Sequence, residues 1–248
     1  MAKKSGLGDN LYFNGYDLSN DIQTVSVGMP SAQLDITGID KSAHERIFGV
    51  RDGTINFASF FNDASGREHP VLRARPSTDV QVLYLRGTTA GDPACGQVAK
   101  QINYDPTRGA DGSLISNVTT LANLYPAEWG VNLTAGKRTD TTATSPASGT
   151  DLTDVSTAFG MAGYLQVFSF TGTSCTVRIQ DSADNSTFAN ITNFGTFTAA
   201  SAVGAERIES TTLTTTIRRY LRVITTGTFS ECTFAVVAMR YRGANRET

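Results

Sequence analysis

Residues 218–242 read RRYLRVITTGTFSECTFAVVAMRYR, and the reading of this stretch decides the fold class. Leu221 and Val223 share one side of an extended chain. Gly227 is placed to turn it, and Phe234, Val236 and Ala238 carry the apolar side back. YLQVFSFTGTSCTVRIQDS, residues 164–182, repeats the scheme around Gly172. There Cys175, Val177 and Ile179 alternate with Thr176, Arg178 and Gln180, one buried face and one wet face. Several short strands at this spacing predict a β-sandwich or jelly roll.

Between these units lies IQDSADNSTFANIT, residues 179–192. Asp181, Asp184 and Asn185 raise the question of a bound metal or sugar. Calcium needs about six oxygen ligands at alternating positions, and no Glu closes this loop. Asn tolerates left-handed backbone, and Asp and Ser bond their own backbone in turns. The stretch therefore reads as a turn, with Phe188 anchoring a returning strand.

Upstream, GTINFASFF (53–61) and DVQVLYLRG (79–87) are apolar on both faces, as strands covered on both sides would be. Further strands are predicted around 97–104 and 114–124, separated by a polar loop. One short helix is predicted at SAHERIFG, residues 42–49. Ser42 and Glu45 would form a capping box, and Gly49 would end it. TDTTATSPASGTDLTD, residues 139–154, carries no aromatic side chain and reads as a linker. The expected organisation is a first β domain over 1–140, a Thr/Ser-rich linker over 141–153, a jelly-roll domain over 154–242 and a loose tail over 243–248.

The chain has 248 residues and a formal net charge of -2, with 18% charged residues. That balance argues against a protein that grips nucleic acid, which shows a basic face. No run approaches the ~20 apolar residues of a membrane span, and the N-terminus lacks the apolar core of a signal peptide. Synthesis in a cytoplasm is expected, which leaves the Asn-x-Thr sequons at Asn117, Asn132, Asn185 and Asn190 without weight. Cys95, Cys175 and Cys232 are read as buried free thiols, with a Cys175–Cys232 bridge as the alternative.

No catalytic, cofactor or metal residues are proposed. GVNLTAGKRT (130–139) has one residue too many between its glycines for a phosphate loop. His44 is placed in the predicted helix and His69 in a loop, neither beside a nucleophile. Asp105, Asp111 and Asp140 beside Arg108, Lys137 and Arg138 read as solvated charge pairs. Trp129 is a core or subunit-contact residue. Arg218, Arg219 and Arg222 form a wet strand face that Glu206 to Glu209 would offset.

LGDNLYFNGYDLSNDI (7–22), LDITGIDKSAHERIFGVRDGTINFASFFN (34–62) and VAKQINYDPTRGADGS (98–113) together resemble the major tail (tail tube) proteins of long-tailed actinobacterial phages. IQDSADNSTFANIT and RRYLRVITTGTFSECTFAVVAMR resemble the galactose-binding-like jelly-roll domain often attached to them. The resemblance covers nearly the whole chain and rests on segments and their order, not on a catalytic motif. It implies an all-β protein: a β-sandwich or small-barrel tail-tube domain with one flanking short helix, then a jelly-roll sandwich. It further implies hexameric rings stacked into a tube in the virion, with genomic DNA passing through without specific binding. The implied partners are other copies, other tail proteins (tape measure, tail tip, terminator) and, weakly, a host-surface glycan. Candidate inter-ring contacts are Leu11, Tyr12 and Phe13 and the loop residues Asp105, Arg108 and Asp111. A carbohydrate-binding adsorption module and another virion part, such as a capsid decoration or tail terminator protein, stay open.

Overall fold

The computed structural model describes residues 5–153, 155–243 and 246. The protein is all-β. Its strands are β1 (Asn10–Phe13), β2 (Tyr16–Asp17), β3 (Ile22–Gly28), β4 (Ser31–Asp35), β5 (Arg46–Arg51), β6 (Thr54–Phe60), β7 (Val80–Leu85), β8 (Pro93–Gln101) and β9 (Asp105–Arg108). They continue with β10 (Leu114–Ala122), β11 (Glu128–Asn132), β12 (Arg138–Asp140), β13 (Thr150–Asp151), β14 (Met161–Ser182), β15 (Ala189–Asn190), β16 (Gly204–Glu209) and β17 (Tyr220–Arg240). One sheet of 15 strands runs β15-β14-β17-β11-β8-β10-β6-β3, with β7, β1 and β2 branching from β8. Among the described residues only β4 and β5 stand apart, as a two-stranded sheet.

The sheet curls around its first core. Leu11 and Phe13 from β1, Val80 and Val82 from β7, Ile55 and Phe57 from β6 and Val118 from β10 share one cluster with Leu72. Leu72 comes from helix α1 (Glu68–Leu72). The flanking helix thus lies at 68–72 and not at the predicted 42–49. Residues 46–51 are instead strand β5. The β-branched and aromatic run Ile47, Phe48, Val50 suits an extended chain, and the amide of Glu45 that a capping box would use bonds Thr37 Oγ1 at 2.9 Å. Gly49 ends nothing: a Cβ there would sit 3.2 Å from Ala32 Cβ across the hairpin.

Strands β14 and β17 form one long antiparallel ribbon, pairing from Met161↔Arg240 to Ser182↔Tyr220. Gly172 and Gly227 were expected to be tight turns, and neither is. Both sit inside continuous strands with φ of +149° and +123°. The register slips around 171–174, and there the ribbon doubles over. A Cβ on Gly172 would lie 2.4 Å from Phe229 Cα, and one on Gly227 2.3 Å from the Ser174 carbonyl oxygen. Glycine supplies the positive φ and close approach that a bulge needs as well as a turn does. The two halves stack as a sandwich. Leu165, Val167, Phe234 and Val236 of one half face Val177, Ile179, Leu221 and Val223 of the other.

The far half of the ribbon also joins the first core. Val131 and Asn132 of β11 pair with Ala238 and Val237 of β17, and Gly130 is indispensable there because a Cβ would lie 2.1 Å from the Ala238 carbonyl oxygen. Tyr12, Leu83, Leu85, Ala94 and Val98 share a buried cluster with Ala162, Tyr164, Ala235, Val237 and Met239. Hydrogen bonding therefore crosses the expected boundary at 141–153, and Thr150–Asp151 within it pairs with β17. Of the expected tail at 243–248, only residues 243 and 246 are described. A chain ending at residue 153 would uncover Tyr12, Leu83 and Leu85. Its expected behaviour is aggregation, read by size-exclusion chromatography. A monodisperse truncated protein with native-like circular dichroism would instead support the division into separate domains.

Candidate assembly surface

The hairpin β4–β5 is the feature that solvent does not account for. Leu34 pairs with Ile47, Gln33 with Phe48 and Asp35 with Arg46. This puts Ala32, Leu34 and Ile47 on one face and Phe48 and Val50 on the other. Phe48 is 81% exposed and Val50 82%, and Leu34, Ile36, Ile39 and Ile47 are exposed as well. An isolated two-stranded hairpin is marginally stable in water, and contiguous exposed apolar surface marks an interaction site. Among the described strands, β4 and β5 pair only with each other, and a sheet edge without a neighbouring strand templates pairing with another chain.

The bend holding the two strands is polar and locally satisfied. The Thr37 amide donates to Asp35 Oδ1 at 2.9 Å, the Ile36 amide to the Glu45 carbonyl at 2.9 Å, and His44 Nδ1 lies 3.0 Å from Asp35 Oδ2. Lys41 and Glu45 add an exposed ion pair of 3.5 Å. The base is pinned by the Asp52 amide on the Pro30 carbonyl at 2.9 Å. At Gly53 a Cβ would lie 2.3 Å from the Ala127 nitrogen, so only glycine lets the chain enter β6 there. Between the hairpin base and the body opens a cleft of about 760 Å³, lined by Pro30, Val50, Leu124, Tyr125 and Pro126 among others. A single chain thus presents an apolar projection and an apolar recess.

The residues expected to make inter-ring contacts divide. Leu11, Tyr12 and Phe13 are each 1% exposed. They are the core of β1, which pairs with both β2 and β7, and have no surface to offer a neighbour. Apolar and aromatic residues in sequence look alike whether they meet a core or a partner. Asp105 and Arg108 are exposed on β9, an edge strand paired only with β10. Asp111 is exposed in the turn that follows, where it accepts from the Ser113 hydroxyl at 2.7 Å and the Ser113 amide at 3.0 Å. The β9–β10 hairpin therefore remains an available contact, while the hairpin at 31–51, whose residues 42–49 were read from sequence as helix, was missed. Its signal was the alternation Ile47, Gly49 against Phe48, Val50.

In the ribbon lobe residues 183–187 turn the chain after β14. Asp184 Oδ1 accepts from the amides of Thr187 at 2.8 Å and Ser186 at 3.0 Å and from the Ser182 hydroxyl at 2.7 Å. Asn185 has φ +59°, and its Oδ1 takes the Gly149 amide at 2.8 Å. Asp181 is occupied by Arg218, whose guanidinium lies 2.6 Å away. Arg219 pairs with Asp151 at 2.7 Å, and Arg222 bonds Gln180 and lies 4.2 Å over the Phe188 ring. The arginines are thus offset by these groups and not by Glu206 to Glu209. Among the described residues no group of three or more His, Cys, Asp or Glu is arranged to hold a metal ion. His69 is the second residue of α1, and its Nδ1 lies 2.8 Å from the Tyr104 hydroxyl.

Several carboxylates are held below their ordinary range: Asp184 by the Thr187 amide and its neighbours, Asp151 by the Arg219 guanidinium, and Asp79 by Lys100. A depressed native pKa means the unfolded chain binds protons first as pH falls. Stability is then full above the unfolded value near 3.8 and lost as pH drops toward the native values. Thermal unfolding is expected to be flat from about pH 5 to 7 and to fall below about pH 4. A midpoint that rises on acidification would contradict the assignment.

No protein-family model and no curated protein matches the chain. Among solved structures, the tail of an empty gene transfer agent particle, refined helically with C6 symmetry, is 14% identical. The match covers 50% of this chain and 96% of that one at a TM-score of 0.39. The Dit protein of phage SPP1, described as a hub of the adsorption apparatus in phages infecting Gram-positive bacteria, is 13% identical over 94% of this chain and 99% of its own, at 0.32. The baseplate of phage p2, in its activated conformation with strontium, contains a chain 12% identical over 94% of this one and 98% of its own, at 0.34. At TM-scores this low these likenesses establish no family.

Proposed function

We propose that this chain is a structural virion protein, the major tail tube subunit of a tailed phage, whose hexameric rings stack around a channel for DNA. The observation that carries the reading is the exposed apolar hairpin β4–β5. It needs a partner, and the apolar recess at its base on the same chain makes a second copy sufficient. The recess shares Val50 with the hairpin, and the free end of one hairpin seated in the recess of the next copy forms a head-to-tail contact. Such contacts close into rings or continue as filaments. The sequence resemblance in 7–22, 34–62 and 98–113 supports the same reading. A net charge of -2 suits a channel in which each bound phosphate would retard DNA.

The ribbon lobe sits outside the tube in this reading. Its shallow polar cleft, lined by Asn190, Thr192, Asn193, Thr214, Thr216 and Arg218, is where the rival reading, a glycan-binding adsorption module, has a surface. Electron microscopy of the concentrated untagged chain, with light scattering, separates the readings. Hollow striated tubes or stacked rings are expected. A single oligomer of fixed size would point to a terminator or decoration protein. A monomer at all concentrations that binds a glycan saturably would replace the proposal with the adsorption module.

A further inference from the structure

The crease of the doubled ribbon brings two thiols together. Cys232 is paired in the ladder with Phe170, and Cys175 with Gly227. The register slips at 171–174 fall between those two pairs. Each cysteine is the first fully inward side chain on its half: Cys175 precedes Val177 and Ile179, and Cys232 precedes Phe234 and Val236. Layers of a folded ribbon are closest at the crease. Both thiols are fully buried in one cluster, and each is the leading influence on the other's ionisation. The third cysteine, Cys95, belongs to the other core.

The cover over the pair is thin. Residues 171–173 and 226–228, on either side of the crease, are exposed. The Asp140 and Arg138 side chains of β12 stand beside the pair, and β12 places Asp140 directly opposite Cys232. Arg138 and Asp140 bond each other at 2.6 Å, so the pair sits next to a neutralised charge couple. The two thiols are not equivalent. The hydrogen bond from Cys232 holds Cys175 below the ordinary thiol range, whereas Cys232 is pushed up by the same bond and by burial. Cys175 is therefore the sulfur that ionises first, and thiolate is the reactive form.

We propose that Cys175 and Cys232 are a modification site, a dithiol that closes to an intrachain disulfide when the folded protein meets a two-electron oxidant of the peroxide class. Cys175 loses its proton, and its thiolate sulfur attacks one peroxide oxygen. The O–O bond breaks, leaving a sulfenic acid at Cys175, and the departing hydroxide takes up a proton to become water. The Cys232 sulfur then attacks the Cys175 sulfur. The S–O bond breaks, the S–S bond forms, and the leaving hydroxide takes the Cys232 proton as a second water. In sum, two thiols and one hydrogen peroxide give one disulfide and two waters, and two electrons pass from sulfur to oxygen. The bond fastens the two layers of the ribbon lobe at the crease and constrains the long loop between the cysteines in the unfolded chain. The inference concerns the ribbon lobe alone and stands whether or not the chain builds tubes.

The test uses the full folded chain, treated with hydrogen peroxide and compared with a dithiothreitol-reduced sample. Remaining thiols are alkylated under denaturing acid quench, and peptides are mapped by mass spectrometry. The expected result is a linked peptide pair containing Cys175 and Cys232, with Cys95 alkylated. The unfolding midpoint is expected to rise by about 5–10 °C and to return on reduction. A Cys95→Ala variant should keep the whole effect, and a Cys232→Ser variant should lose both the linked peptide and the rise. Cys175 and Cys232 both recovered alkylated, either one recovered as sulfinic acid without a linked peptide, or a bridge that includes Cys95, would overturn the proposal.

Discussion

Arg207→Met is expected to lower stability by about 3–5 kcal/mol, measured by urea denaturation. Arg207 lies on β16 with 4% of its side chain exposed, and Glu128 on β11 with 2%. Its Nε donates to Glu128 Oε2 at 3.1 Å and its Nη2 to Oε1 at 3.2 Å. Tyr164 donates to Glu128 Oε2 at 2.7 Å and Tyr241 to Oε1 at 2.9 Å, so every oxygen of the carboxylate is satisfied. The guanidinium also lies 3.5 Å over the Tyr125 ring and pairs with Glu209 at 3.2 Å. Burial, then the charge of Glu128, pushes the Tyr164 and Tyr241 hydroxyls well up, which keeps both as donors at any physiological pH. Removing the arginine strands a buried carboxylate. Removing both charges does not, so Glu128→Leu with Arg207→Met is expected to recover much of the loss. If the single and double variants were equally destabilised, the pair would act through packing alone. The position of the network gives it consequence. Glu128 belongs to the first core, and Tyr164, Arg207 and Tyr241 to the ribbon side, so its loss loosens the two cores from each other.

That network was out of reach of sequence. Arg207 and Glu128 are 79 positions apart, and nothing local to either residue marks it as buried. The all-β class was legible, because alternation in 175–180 reports a two-sided strand directly. The turn at 183–187 was legible too, since Asp184 uses side-chain bonds that are wholly local and Asn185 takes the left-handed backbone that asparagine tolerates. What failed was the meaning of single signals with two physical outlets. Glycine with positive φ serves a turn or a bulge, so Gly172 and Gly227 hid a 22-residue strand and a 21-residue strand. Ser42 and Glu45 match a capping box, yet the β-branched run after them prevails because the hairpin supplies Thr37 as a competing acceptor for the Glu45 amide. Leu11 to Phe13 were apolar enough for either core or interface, and only the pairing with β7 decides between them.

Phe48→Asp with Val50→Asp is expected to abolish tube formation while leaving the subunit folded. Both side chains are more than four-fifths exposed, so the monomer loses little packing. Substitutions at such sites shift stability by about 0.5 kcal/mol or less. In an assembled contact the same positions would be desolvated. Two carboxylates placed in an apolar interface without partners cost several kcal/mol, and a closed ring repeats that cost at every contact. The expected reading is a wild-type solution that scatters strongly and shows tubes, beside a variant that stays monomeric with an unchanged unfolding midpoint. Val155→Asp is the control, because Val155 is 83% exposed and lies outside the hairpin. It should assemble normally. Arg108→Glu asks whether the β9–β10 hairpin shares the contact, and a partial loss there would place the edge strand in the interface with β4–β5. Normal tubes from the double aspartate variant would sink the hairpin as the assembly element. The apolar face at 46–51 would then need a different partner, and the rival adsorption reading would gain the ground that the tube reading lost.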